Sequence, residues 1–196
     1  MSWFQKFLGR SKSGQSIAFA NSIELRWDDF FWAGETILPA WAGFQKRLGA
    51  YCAISGTGSS NGEVRLSISS PTEKTITAPS KAQFNGYRYL LQHGESVRDK
   101  VLQAIFDAYP DWKAQLKDFL GDDLEHLMPT LTTPLELRAL IGLSTVHILS
   151  EAKDEHAFVG FEFGCTWEEE HGLGVMSHRD QIVAVGAAED SFSFPV

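Results

Sequence analysis

The chain has 196 residues, which is enough for one domain with a full hydrophobic core. Its formal net charge of -8 argues against a nucleic-acid-binding surface, and its 43% hydrophobic and 21% charged residues are typical of an ordinary globular protein rather than a disordered one. No segment approaches the roughly 20 apolar residues of a membrane span, and the N-terminus lacks a signal-peptide pattern, so the sequence predicts a cytoplasmic protein with no nucleic-acid or membrane partner.

The two cysteines, Cys52 and Cys165, lie in opposite halves of the chain and do not form a CxxC pair. This spacing provides neither a zinc knuckle nor a redox motif. In a reducing cytosol both residues are expected to be buried free thiols, and a single long-range disulfide is the alternative.

The chain shows no internal repeat and no convincing domain boundary. Residues 1–15 combine an aromatic patch with a polar joint, so they are expected to form a short helix and a flexible lead. Residues 16–196 are expected to form a single α+β domain. Within this domain the glycine-rich stretch 56–62 is interpreted as a loop, because it lacks the Lys-Ser/Thr ending of a phosphate-binding loop.

Alternating apolar and polar residues predict strands in the N-terminal half of the domain. One strand is predicted at 23–27 and another at 64–68. Residues 32–35 are expected to form a turn that leads into a strand beginning at Thr36. Pro39 would place that strand at an edge or end it, because proline has no N–H for a ladder hydrogen bond.

Two main helices are predicted in the middle of the chain. Ser80 followed by Gln83 matches a capping box and starts the first helix, which the pair His93-Gly94 interrupts. The second amphipathic stripe is expected to end at Pro110, because proline lacks the helical N–H donor. Trp112–Leu120 is expected to form a third, short helix.

The C-terminal part of the chain predicts mostly strands. The sequence TPLE at 133–136 is a helix start, with a capping threonine and a capping-box glutamate. A strand follows at 143–149, and a three-strand meander with a polar turn at 178–180 is expected between 159 and 185. The predicted fold class is α+β, with an antiparallel sheet of about six to seven strands and two main helices packed on one face.

The charged loop at 168–171 is the candidate site. Glu168, Glu170 and His171, with His178 from the next turn, supply oxygen and imidazole donors that suit zinc or manganese. Adjacent residues on a strand point to opposite faces, and neither an HExxH nor a GxSxG motif is present, so a solvated acidic turn is the preferred interpretation. No catalytic residue, metal or cofactor is predicted.

Several segments resemble a bacterial family of uncharacterised domains, a domain of unknown function. They are ILPAWAGFQ, GEVRLSISSP, GESVRDKVLQAIFDAYPDW and the C-terminal FEFGCTWEEEHGLGVMSHRDQIVAVGAAEDSF, within roughly residues 25–192. No established reaction comes with this family. The motif residues to which we assign structural or motif roles are Trp41, Trp167, Glu170, His171, Gly172 and Gly174, and Leu173 also carries the match.

Some related small bacterial domains are regarded as immunity proteins against contact-delivered toxins, and a compact, acidic chain suits this role. The resemblance therefore implies a non-enzymatic binding protein that neutralises a partner toxin by covering its active surface. Surface carboxylates would steer a basic partner. The predicted partner-binding residues are Asp122, Asp123, Glu168 and Glu169.

Two other functions remain open at this stage. The first is a metal-assisted hydrolase that uses Glu168, Glu170, His171 and His178. The second is a structural or oligomeric module in which the aromatic segment 27–41 forms a self-interface. The sequence leaves open whether the protein is a monomer or a homodimer.

Overall fold

The structure, a computed structural model, describes residues 15–20, 23–47, 54–71, 76–168 and 171–194. The expected N-terminal helix and lead therefore lie outside the described residues, apart from Gln15. The described part of the chain contains ten strands and three α-helices: β1 Ser16–Phe19, β2 Ile23–Trp27, β3 Phe31–Ile37, β4 Gln45–Arg47, β5 Ile54–Ser59, β6 Glu63–Ser69, α1 Lys81–Gln92, α2 Gly94–Leu120, α3 Leu124–Leu127, β7 Ile141–Lys153, β8 His156–Cys165, β9 Leu173–His178 and β10 Gln181–Gly186.

Eight of these strands form one sheet, in the order β1-β2-β3-β6-β7-β8-β9-β10, and β4 pairs with β5 in a separate two-stranded sheet. Every neighbouring pair in the large sheet is antiparallel except β6 and β7, which are parallel. The mixed fold class, the mainly antiparallel sheet and the C-terminal meander are confirmed. The sheet has eight strands rather than the predicted six to seven, because β1 also belongs to it. It is not wholly antiparallel, since β6 and β7 are parallel.

The predicted turn at residues 32–35 is wrong. These residues form the centre of β3, which pairs with β6 along its whole length from Phe31 to Ile37. The chain reverses earlier, at 28–30, where Asp29 adopts a left-handed conformation with φ of 54°. Pairing with β6 therefore outweighs the low strand preference of the Ala-Gly pair. The loop expected at 56–62 is also partly strand, since β5 runs to Ser59.

The capping box at the start of α1 is confirmed. The Ser80 hydroxyl accepts a hydrogen bond from the Gln83 backbone N–H at 3.2 Å, and the Gln83 side chain accepts one from the Ser80 N–H at 2.8 Å. The interruption at His93 is also confirmed, because α1 ends at Gln92 and α2 begins at Gly94. These features are local in sequence, so the sequence predicts them well.

The predicted end of the second helix at Pro110 is wrong. α2 continues through Pro110 to Leu120, and the expected third helix at 112–120 is its continuation. Proline removes only one intrahelical hydrogen bond, and the rings on either side of it, Tyr109 and Trp112, both contact Trp167. This packing maintains the helix across the proline. None of the helices described is long and apolar enough to cross a membrane.

The helix start predicted at TPLE is confirmed, but the helix that follows is a 3-10 helix of six residues, Pro134–Ala139. The Glu136 carboxylate accepts hydrogen bonds from the backbone N–H groups of Thr132 at 2.6 Å and Thr133 at 2.7 Å. These two bonds hold the pKa of the Glu136 carboxyl below its usual value.

One face of the large sheet, termed the helix face, carries the hydrophobic core. Leu66, Val146, Phe161 and Val175 lie opposite one another across β6 to β9, and all four side chains are fully buried. Residues of α1 and α2 belong to the same buried cluster. The three tryptophans of the segment 27–41, Trp27, Trp32 and Trp41, are buried and also lie in this core.

Trp41 packs in the core between the 3-10 helix at Pro39–Trp41 and the sheet. Its ring lies 5.2 Å from those of Phe44 and Phe163 and 5.9 Å from that of Phe161. The indole Nε1 has no hydrogen-bond partner among the described residues. The contribution of Trp41 is therefore the burial of its ring area rather than a polar contact.

The opposite face of the sheet, termed the open face, is covered only in part. The C-terminal tail, residues 187–194, contains a 3-10 helix at Ala188–Ser191 that lies across β8, β9 and β10. Close approach of the tail requires Gly174, because a Cβ atom at this position would collide with the backbone of the tail. Among the described residues, the tail reaches β7 through Phe192, beside His147, and leaves the open face of β2, β3 and β6 uncovered.

Candidate functional site

The WEEEHG loop, residues 167–172, is held by its own hydrogen bonds. The Glu168 carboxylate accepts a bond from the His171 backbone N–H at 3.2 Å and lies 3.3 Å from the His171 ring Nδ1. The Glu168 carbonyl oxygen accepts bonds from Gly172 N–H and from the Cys165 thiol. Gly172 itself has φ of 63°, a conformation that favours glycine. Glu168 therefore stabilises the turn, while Glu169 and Glu170 lie outside the described residues.

The loop is anchored to the helices through its first residue. The buried Trp167 ring lies 5.4 Å from Tyr109, edge to face, and stacks on Trp112 at 6.4 Å. The hydroxyl of the preceding Thr166 donates a 2.6 Å hydrogen bond to the carbonyl of Leu127 in α3. The loop is thus fixed against the C-terminal half of α2, at Tyr109 and Trp112, and against the short helix α3.

Of the donors of the alternative metal site, Glu168 and His171 lie together, but His178 does not join them, and Glu170 lies outside the described residues. His178 lies at the far end of β9 from the loop, and the strand between them spans about 16 Å. The His178 ring Nε2 lies 2.9 Å from the Lys153 carbonyl oxygen, and the ring packs on Phe158. Within the described ranges no group of three His, Cys, Asp or Glu side chains is placed to bind a metal ion.

The thiol beside the loop is not accessible for chemistry. Cys165 is fully buried and is a free cysteine. Burial raises the pKa of the Cys165 thiol to about 12, although two backbone hydrogen bonds act in the opposite direction. The thiol therefore remains protonated at neutral pH, and a nucleophilic role does not fit its environment.

Two of the predicted partner-binding residues lie at the end of α2. Asp122 and Asp123 belong to the 3-10 turn Gly121–Asp123 and are exposed. Beside them Phe119 is 80% exposed, the largest exposure among the large apolar side chains described. Asp118, in the last turn of α2, is also exposed. We refer to Asp118, Phe119, Asp122 and Asp123 as the α2-end patch.

A second surface, which the sequence did not indicate as a site, is a groove on the open face. It has a volume of about 1640 Å³ and extends from β2 to the tail. Glu24 and Arg26 form one wall, and Ala188 and Phe192 of the tail form the other. His171 of the WEEEHG loop also lines the groove.

The floor of the groove is polar and is built from neighbouring strands. Ser67 of β6 lies beside His147 of β7, and Thr145 of β7 lies beside Glu162 of β8. The His147 ring Nε2 is 2.8 Å from the Glu162 carboxylate, and both side chains are largely buried. The side chain of Phe192 closes this end of the floor, 5.3 Å from the His147 ring.

Two hydroxyl-bearing residues on this floor are largely buried, but their hydroxyl oxygens still face the groove. Ser67 is 6% exposed and Thr145 is 8% exposed, and both line the groove. Neither side chain has a hydrogen-bond partner in the described part of the chain. These hydroxyls are therefore available to a ligand or to solvent in the groove.

A bulge in β7 directs these residues to the open face. Leu143 pairs with Phe163 and Thr145 pairs with Glu162, so Ser144 is an extra residue in the ladder. The Ser144 hydroxyl donates a 2.9 Å hydrogen bond to the Glu162 carbonyl, which holds the bulge. The sequence correctly predicts that Thr145 and His147 share a face, but it contains no signal for their juxtaposition with Ser67 and Glu162.

The family assignment rests on comparison with known protein families. The profile of a family described as Domain of unknown function (DUF6985) matches residues 44–192. The chain belongs to this family. Membership in an uncharacterised domain family, which the resemblance implied, is thus confirmed at this level. No curated protein and no solved structure matches the chain.

The DUF6985 match divides the groove into two parts. The floor residues of β6, β7 and β8 and the tail lie inside the match, whereas β2 and β3 precede it. The wall that carries Glu24 and Arg26 therefore comes from a part of the chain outside the matched DUF6985 region. The WEEEHG loop and the α2-end patch lie within the match.

Proposed function

We propose that this DUF6985 protein is a cytoplasmic, non-enzymatic binding protein that holds a basic protein partner, as a bacterial immunity protein holds a toxin. The α2-end patch is the observation that carries the proposal. An exposed aromatic ring can enter a pocket of the partner, and surrounding carboxylates can steer a basic surface and determine its orientation. The net charge of -8 favours a basic partner in the same way.

The position of the carboxylates in the α2-end patch is unfavourable for the helix itself. Asp118 is in the last turn of α2, and Asp122 and Asp123 follow directly after its end. The C-terminal end of a helix carries partial negative charge, so a nearby carboxylate costs roughly 0.3–1 kcal/mol. Lys117 in the same turn offsets only part of this cost. Asp123 also stands at the N-cap of α3, but its side chain forms no capping hydrogen bond there, so a binding role accounts for these acidic residues better than helix capping does.

The experiment is partner capture with matched variants. The full chain is immobilised and exposed to lysate of the native bacterium at moderate salt, and retained proteins are identified by mass spectrometry. Phe119→Ala removes the anchor, and Asp122→Lys with Asp123→Lys reverses the charge. The control is Glu151→Lys with Glu155→Lys, which makes the same charge change at exposed positions near the β7–β8 turn.

We expect one basic protein to be retained in stoichiometric amount by the wild-type chain and the control, and to be lost or reduced at least tenfold by the α2-end variants. The charge-reversed variant should also show slower association and a weaker salt dependence, since steering depends on these carboxylates. Equal retention by all four proteins, or no stoichiometric partner, would contradict the proposal.

A stability measurement separates binding from folding. Asp122→Asn with Asp123→Asn removes two charges from the negative end of α2, so unfolding in urea should require the same or a slightly higher denaturant concentration. Partner binding should nevertheless weaken. If this variant unfolds at a lower urea concentration, the carboxylates have a structural role and the argument for binding fails.

A further inference from the structure

The groove on the open face has an excess of negative charge. In the described part of the chain, the carboxylates of Glu24, Glu35, Glu63 and Glu162 line it, together with the guanidinium groups of two arginines, Arg26 and Arg65. Both guanidinium groups are engaged in ion pairs. Arg26 contacts Glu24 at 3.2 Å, and Arg65 contacts Asp28 at 3.0 Å while its guanidinium lies over the ring of Phe31.

Two of the groove carboxylates have no cationic partner among the residues that the structure describes. Glu35 and Glu63 are exposed, and neither forms an ion pair within the described ranges. Glu35 lies directly opposite Arg65 in the β3–β6 ladder, but the arginine turns to Asp28. A ligand that carries ammonium or guanidinium groups would therefore meet unpaired charge at this side of the floor.

The free hydroxyls add acceptors on the same floor. Thr145 lies next to Arg65 across the β6–β7 pair, and Ser67 lies two residues farther along β6. Each hydroxyl oxygen can accept a hydrogen bond from a ligand N–H. Ammonium and guanidinium groups have donors but no acceptors, so they complement a floor made of carboxylates and hydroxyls.

The dimensions of the groove suit an extended chain. Between β2 and the edge of the tail over β8 lie four strand spacings, or about 19 Å. An extended segment of about six residues spans this length. Exposed rings lie on both sides: Phe30 is 64% exposed on the β2–β3 side, and Phe192 is 50% exposed on the β8 side. Each ring can attract a cationic side chain through its π-face.

We infer that the open-face groove binds a basic, extended segment of about six residues from the partner protein. This inference rests on the proposed function, because it assigns a second point of contact to the same basic partner. Glu35 and Glu63 hold the cationic side chains, and the hydroxyls of Ser67 and Thr145 accept hydrogen bonds from the segment. The α2-end patch and the groove would then be two separate points of contact with the same partner.

The test uses a defined probe and the isotopically labelled full chain. The probe is an acetylated, amidated hexapeptide of three Arg-Ser repeats, and the controls are hexapeptides of three Glu-Ser and three Gly-Ser repeats. Backbone amide shifts are followed by NMR during titration at moderate salt. We expect saturable shifts in β3, β6 and β7, including the amides of Ser67 and Thr145, with the basic peptide alone.

Two variants test the assigned contacts. Glu35→Gln with Glu63→Gln removes the exposed charges, and we expect the dissociation constant to rise at least tenfold. Thr145→Val removes a hydroxyl with no partner in the described part of the protein, so the fold should be retained while affinity falls severalfold. As a control, Asp122→Lys with Asp123→Lys should leave the groove shifts in place.

The outcomes distinguish this inference from the proposed function. Three results would overturn the groove assignment and leave the α2-end proposal standing. They are amide shifts confined to the α2 end, equal binding of the Gly-Ser or Glu-Ser peptide, and an unchanged dissociation constant in the groove variants. If the basic peptide binds the groove but the α2-end variants capture the partner as well as the wild-type chain does, the proposed function is overturned instead. The absence of saturable shifts with any peptide would refute the inference.

Discussion

The hydrogen bond between Tyr87 and Thr36 can be measured by a double-mutant cycle. It joins α1 to β3 across the core, with 2.6 Å between the Tyr87 Oη and the Thr36 Oγ1. Tyr87 is 1% exposed and Thr36 is 7% exposed, so water cannot readily replace either partner. Burial also raises the pKa of the Tyr87 phenol, with the Thr36 bond acting in the opposite direction, so the phenol remains neutral.

Removing one partner should cost more than removing both. Tyr87→Phe leaves the Thr36 hydroxyl buried and unpaired, and Thr36→Val does the same to the phenol, so each change should lower the free energy of unfolding by about 1–3 kcal/mol. The double variant removes both polar groups with little change in shape. It should cost less than the sum of the single variants, with a coupling free energy of about 1 kcal/mol.

The assay is urea unfolding followed by tryptophan fluorescence, with equal m-values as a condition for comparison. Tyr89→Phe is the matched control, because Tyr89 lies on the same helix, is only partly buried and has no hydroxyl hydrogen bond in the described part of the chain. This change should alter stability little. Strict additivity of the two single substitutions would show that the hydroxyls do not interact and would refute the reasoning.

Three further predictions concern single positions. In a Cys52→Ser background, iodoacetamide at pH 8 should leave Cys165 unmodified in the folded protein and alkylate it fully in guanidinium, because the thiol is buried with a raised pKa; mass spectrometry measures the difference. Glu136→Gln should reduce the loss of stability on acidification below about pH 4.5, as urea unfolding at a series of pH values would measure. The reason is that the lowered pKa of the Glu136 carboxyl stabilises the fold above the unfolded-state pKa, and this contribution is lost as pH falls through the folded-state pKa. Gly174→Ala should lower stability by about 1–3 kcal/mol in thermal unfolding because the tail must move, whereas Gly94→Ala, which has room for a Cβ, should not.

Local features of the fold could be predicted because neighbouring residues determine them. The α1 cap requires only Ser80 and Gln83, and the Arg179–Asp180 turn between β9 and β10 requires only the chain between two apolar runs. Helix and strand boundaries that depend on contacts with distant residues could not be predicted from the sequence. Trp167 supports α2 beyond Pro110, and β6 supports β3 through its Ala-Gly pair, although neither partner is near in sequence.

The groove could be predicted from the sequence even less well than the helix and strand boundaries. The bulge at Ser144 places Leu143 and Val146 on the same face, which strict alternation would separate. Without this bulge, simple alternation from Leu143 would direct Thr145 towards the helices. The sequence located the acidic residues at 122–123 and the charged loop, but the groove depends on strand order, on one parallel pair and on where the tail lies.

The parallel pairing of β6 with β7 has a consequence for folding. In the large sheet, β1, β2, β3 and β6 come from the first 69 residues, and β7 to β10 come from residues 141–186. Among the described strands, the β6–β7 pair alone joins these two halves. Contacts between distant parts of a chain are slow to form, because the chain between them must first be ordered. Ser67 lies on β6 and Thr145 on β7, so the groove floor forms only when these two strands pair. A ligand in the groove would stabilise the pairing of β6 with β7. It would therefore slow amide hydrogen exchange along these two strands more than elsewhere in the sheet.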